Sequence, residues 1–151
     1  MKLGALLSEI KGKQSRLARL MSISEQTMYV EKDKTPKLNY KETSEEIEKL
    51  IPEIRQLKLK VQEANLKNKL PDFNITLAEA IIKVADLRSL MSYKSGLIKY
   101  SKLNLWDMED KKIDYIPQME EKELEKEVEE LSREKIKLDN AIQKANWSIE
   151  V

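Results

Sequence analysis

The chain has 151 residues, of which 36 % are Asp, Glu, Lys or Arg, with only three glycines and four prolines. That profile belongs to long solvated helices rather than strands, in one domain with a moderate core. The absence of cysteine and histidine excludes disulfides, thiolate chemistry, cysteine-zinc sites, imidazole ligands and the usual general base near neutral pH. Any metal site would need oxygen ligands, and a net charge of +1 supplies no global field for nucleic acid.

The apolar start, Met1 to Leu7, is interrupted by Ser8, Glu9 and Lys11 before a signal peptide forms. No run approaches the roughly 20 apolar residues that span a bilayer. A soluble cytoplasmic protein is expected.

The first helix is predicted from about Lys2 to about Met28, on the stripe Leu3, Leu7, Ile10, Leu17 and Met21, with Gln14 and Ser24 as polar interruptions. Gly4 and Gly12 each cost up to about 1 kcal/mol of helix propensity. Either they admit a close partner helix or they are tolerated, and toleration is the preferred reading. The segment from Glu31 to Thr43, with Pro36, has no apolar period and reads as a loop. Met28, Tyr29 and Val30 lead into it as extended chain.

The second helix is predicted from about Ser44 to Asn65, with Thr43 or Ser44 as cap and Glu45 and Glu46 at the positive end of its dipole. Its seam is Ile47, Leu50, Ile54, Leu57, Val61 and Ala64. Pro52 lacks an N–H, so a kink near Glu48 is expected. A break at Pro52 is the alternative, but the seam continues in phase through it.

Leu66 to Asn74, with Pro71, reads as a turn region. Thr76 and Glu79 form a capping-box pattern, the clearest helix start in the chain. The third helix runs from Leu77 to about Leu105 on Leu77, Ala80, Val84, Leu87, Met91, Ile98 and Leu105. Ile81, Leu90 and Leu97 widen that stripe, which implies more than one neighbour, with the helix either at the centre of the bundle or also in a subunit interface. After Trp106, a second long connection extends to Gln118. Within it Ile113 to Ile116 is a candidate strand, and a two-stranded ribbon with Met28 to Val30 is hypothesised.

The last helix is predicted from Met119 to Trp147, about 40 Å long, on the seam Leu124, Val128, Leu131, Lys135, Leu138, Ile142 and Ala145. Its first half is dense in glutamate and its second carries Lys135, Lys137 and Lys144, matching the helix dipole. Lys135 is the polar position on the seam. It either sets register at some cost in stability or extends its head to solvent, the preferred reading.

Val61-Gln62-Glu63-Ala64-Asn65 is echoed by Ile142-Gln143-Lys144-Ala145-Asn146, and the same offset aligns the seams of the helices. Two similar helical hairpins are therefore expected. Asn65 and Asn146 are each placed at a helix end, since Asn tolerates the left-handed conformation.

The start Met1-Lys2-Leu3, the Asn65 segment, Thr76-Leu77 with Ala80, and the ending Gln143, Ala145-Asn146-Trp147 together resemble the septicolysin-like family of bacteria. The order and spacing agree over nearly the whole chain. The resemblance implies an all-helical fold and, through the family's name, a pore-forming activity. It supplies no catalytic residues.

Four functional readings follow. A self-associating structural protein fits four amphipathic helices and the wide third stripe. Membrane activity fits the family name but not the mixed charges of the polar faces. A carboxylate-metal hydrolase would draw on Glu42, Glu45, Glu46 and Glu48, and on Glu121, Glu125 and Glu129. These lie off the apolar stripes and read as solvated. Nucleic-acid binding would use Lys11, Lys13, Arg16 and Arg19, or Lys94, Lys99 and Lys102 near Tyr93 and Tyr100, with no recognised module.

The expectation is therefore one all-α domain over residues 1–151, a four-helix bundle of two hairpins with a short two-stranded ribbon in the connections. No catalytic, cofactor-binding or metal residue is assigned. A homo-oligomer is expected, dimer or larger with a hexamer included, without nucleic acid or membrane as partner.

Overall fold

A computed structural model describes residues 1–108 and 115–151, with side chains for 1–99 and 115–151. Among the described residues the elements are α1 (Leu3–Thr27), α2 (Tyr40–Lys67), β1 (Lys69–Leu70), β2 (Ile75–Thr76), α3 (Leu77–Met108) and α4 (Glu121–Ser148). The fold class is all-α, with a ribbon of two residues on each strand. Contacts divide the chain into two compact units, Met1–Lys69 with Ala145–Val151, and Leu70–Lys144.

In the first unit α1 and α2 form an antiparallel hairpin. Leu3, Leu6 and Ile10 are buried on α1, and Leu50, Ile54 and Ala64 on α2, each set at the three-four spacing of one helix face. The ion pairs Lys13–Glu53 (2.8 Å) and Arg16–Glu46 fix the antiparallel register. Helix α2 starts earlier than the sequence suggests. Its cap is Asn39, whose side chain accepts the Glu42 N–H at 3.3 Å. Thr43 is already inside the helix, buried, and its hydroxyl donates to the Asn39 carbonyl at 2.9 Å. The charge-rich stretch around Lys41 and Glu42 hid this extra turn, because its apolar period begins only at Ile47. The helix then continues through Pro52 without a break.

Neither asparagine of the echoed ending terminates its helix. Asn65 is a buried interior residue of α2, which ends at Lys67, and Asn146 lies within α4. The helix end is handled by Asn68, whose backbone N–H and side-chain amide both donate to the Ala64 carbonyl, at 3.0 and 2.8 Å. Asn68 is extended (φ −95°), so no left-handed residue is needed.

The second unit opens with the ribbon. The Leu70 carbonyl accepts the N–H groups of both Phe73 and Asn74, at 3.2 and 3.0 Å. Asn74 turns the chain in the left-handed region (φ 52°), which Asn visits more readily than most residues. The ribbon is thus present, but between residues 69 and 76 rather than between Met28–Val30 and Ile113–Ile116. Met28 is a helical C-cap and Met28–Val30 form no strand. Tyr115 and Ile116 are exposed and irregular, while residues 113 and 114 lie outside the described residues. Strand propensity without a paired, half-buried surface does not make a sheet.

Helix α3 begins where Thr76 Oγ1 accepts the Glu79 N–H at 3.1 Å, as the capping pattern predicts. Leu77, Ala80, Val84 and Leu87 are buried along one face. Helix α4 runs antiparallel to it, with ion pairs Lys83–Glu134 (2.7 Å) and Lys94–Glu127. Leu138 and Ile142 are its most buried residues in this unit. Lys135 is half-buried on the seam and pairs with Asp139 one turn on, at 2.7 Å.

Candidate interaction surfaces

Three features stand out, and the first joins the two ends of the chain. Helix α1 has no side-chain cap at Lys2, so its first N–H groups need other acceptors. The Leu3 N–H donates to the Ile149 carbonyl at 3.0 Å, and the Val151 N–H donates to the Met1 carbonyl at 2.8 Å. Lys2 and Glu150 form an antiparallel bridge, and their side chains pair at 2.6 Å. Lys2 Nζ also donates to the Ser148 carbonyl at 3.1 Å. A cation thereby sits at the negative end of the α4 dipole, where α4 carries no basic residue of its own. The hydrogen bond from Lys2 and a second from the Met1 ammonium hold the Glu150 carboxyl below its ordinary pKa.

Gly4 completes this clasp. A Cβ there would stand 3.0 Å from the Trp147 indole and 3.2 Å from the Asn146 carbonyl. Gly4 therefore lies at a close approach, where a Cβ would oblige the Trp147 ring or the Asn146 carbonyl to give by a few tenths of an ångström. Gly12, with nothing within 4 Å of a Cβ, is the tolerated one. A single sequence cannot separate the two, because the neighbour of Gly4 lies more than a hundred residues away.

The second feature is a groove of about 380 Å³ on one flank of the α1–α2 hairpin, lined by Leu17, Ile51, Ile54 and Leu59 with Arg55 and Lys58. The cross-helix ion pairs of the hairpin lie on the opposite flank, where Lys13 and Glu53 line a separate depression. Hydrogen bonding to Glu53 raises the Lys13 pKa, and the same bond lowers that of Glu53.

The third feature is on α3. Ile82, Leu90, Tyr93 and Leu97 recur at helical spacing on the side away from its buried stripe, and are 62, 41, 62 and 38 % exposed. Leu90 and Leu97 are two of the residues that widened the stripe in the sequence. They form a ridge rather than a broader core contact.

The carboxylates considered for metal do not converge. Glu42, Glu45, Glu48, Glu125 and Glu129 are exposed, and Glu129 pairs with Arg133. Glu46 is held by Arg16; its Oε1 is shut off from solvent and has this charge contact rather than a well-aligned hydrogen bond. Glu121 is partly buried on α4. Among the described residues no group of three or more acidic side chains could hold a metal ion. Of the basic residues considered for nucleic acid, Lys13, Arg16 and Lys94 are each engaged by a glutamate of the neighbouring helix. Lys11, Arg19, Tyr93 and Lys99 are exposed, and the side chains of Tyr100 and Lys102 lie outside the described residues. No described helix is long and apolar enough to cross a membrane.

Residues 11–151 match DUF6847, a family of unknown function. The chain belongs to that family. Among curated proteins none matches the chain. One solved structure, a functionally unknown conserved protein from Corynebacterium diphtheriae, is similar at a TM-score of 0.86 and 24 % identity, over 100 % of this chain and 98 % of that one. The similarity extends the all-α fold to that protein.

Proposed function

We propose that this member of the DUF6847 family is a non-catalytic, self-associating helical protein with a structural role in the cytoplasm. The observation that carries the reading is the α3 ridge. Four large apolar side chains on one exposed helix face are costly in water at roughly 25 cal/mol per Å² of apolar surface. An exposed apolar row of this kind, interrupted by Asp86, is what a helix face kept for an interaction presents. The chain has no histidine or cysteine, so imidazole bases and thiolate nucleophiles have no part in its chemistry.

Mass by light scattering tests this. A discrete oligomer at micromolar concentration, from dimer to hexamer, supports the reading. A monomer across that range ends it. The membrane-active reading that the septicolysin resemblance implies has a separate test in dye release from liposomes. On our reading no leakage occurs, because the exposed faces mix both charge signs rather than presenting a basic amphipathic helix.

A further inference from the structure

The geometry points to a head-to-tail contact in which the α3 ridge of one copy enters the α1–α2 groove of the next; this rests on the self-association reading above. The two surfaces differ in shape. The groove is a depression between two helices, with an apolar floor of Leu17, Ile51 and Ile54. The ridge is a single convex line of side chains, Ile82, Leu90, Tyr93 and Leu97. Ridges fit grooves, whereas a groove against a groove leaves a void and a ridge against a ridge leaves both grooves open. The groove runs about 16 Å over residues 51–62 and the ridge about 22 Å over residues 82–97 at the helical rise, so the ridge spans the groove and extends beyond it.

Charge selects the same pairing. Arg55 and Lys58 line the groove, and neither has a carboxylate partner among the described residues. Every cross-helix ion pair described in this hairpin lies on its other flank. Asp86 falls on the ridge at helical spacing between Ile82 and Leu90, and it too has no cation partner among the described residues. A groove facing its own copy would set Arg55 and Lys58 against like charges. A groove facing the ridge sets them against Asp86. Such complementarity fixes partner and register more than it adds affinity. Because the two surfaces are different, the contact is heterologous.

Charge exchange tests the contact. R55E/K58E and D86K alter exposed side chains, so helicity by circular dichroism should match the wild type. Each variant alone should associate roughly tenfold or more weakly in sedimentation equilibrium. An equimolar mixture of the two should recover the association, since both the groove and the ridge of each variant then meet an opposite charge on the other. The triple variant R55E/K58E/D86K should recover it alone. A wild-type oligomer that neither charge change weakens overturns this contact and leaves self-association standing. Weakening in both variants without recovery in the mixture also overturns it, in favour of like-with-like pairing. A monomeric wild type instead overturns the self-association reading itself.

Discussion

The two hairpins start their first helices by opposite means. Helix α3 carries its own signal, Thr76 capping the Glu79 N–H within four residues. Helix α1 has no side-chain cap, and its opening N–H is taken by the Ile149 carbonyl from the far end of the chain. A local start is legible in a sequence and costs little loop-closure entropy. A start that brings together residues some 150 apart forms only when the intervening chain is in place. The same contrast governs the two glycines of α1, one under Trp147 and one in open space.

The largest effects should come from the buried leucine that opens each helix. Leu3 and Leu77 are both fully buried, so Leu3→Ala and Leu77→Ala should each lower urea-unfolding stability by about 2–5 kcal/mol. A cost for Leu3→Ala under about 1 kcal/mol would mean that the clasp at the chain ends is not part of the stable core.

The glycines give the next contrast, and it is one of sign. Gly4→Ala meets the Trp147 ring and the Asn146 carbonyl. Overpacking of about 1–3 kcal/mol outweighs a helix-propensity gain of about 1 kcal/mol. Gly12→Ala meets nothing within 4 Å and should stabilise by up to about 1 kcal/mol. Thermal unfolding of the pair measures both, and equal shifts would remove the distinction.

Caps follow. Thr76→Ala and Asn39→Ala each remove a side-chain acceptor for a helix N–H and should each cost about 1 kcal/mol in urea. No loss from Asn39→Ala would return the start of α2 towards Ser44.

The smallest effect concerns pH. The Glu150 carboxyl is held below its ordinary value by Lys2 and then by the Met1 ammonium. Its folded pKa is depressed, so its contribution is present above the unfolded value and fades as pH falls through the folded one. Amide exchange of Leu3 and Val151 should therefore quicken relative to core amides below about pH 4. Glu150→Gln should remove that acid dependence, and an unchanged pH profile in the variant would assign it to another group.

The apolar periods of Leu50 to Ala64 and of Leu77 to Leu87 determined which faces are buried, because a helix fixes its own three-four spacing locally. The same locality made the α3 cap legible. Glutamate ladders off the seams read as solvated for the same reason. What the apolar period does not mark stayed hidden, as with the polar first turn of α2 at Asn39.

Only the tertiary structure decided the rest. It showed that the stripe-widening residues Leu90 and Leu97 are exposed rather than buried against a second neighbour. It placed Lys2 at the end of α4 and Gly4 beneath Trp147, and it left Arg55 and Lys58 on the flank that carries no ion pair among the described residues. Periodicity states which side of a helix is apolar. Whether that side meets a partner depends on where distant segments arrive, and the free energy of that meeting is shared among residues that no local window contains.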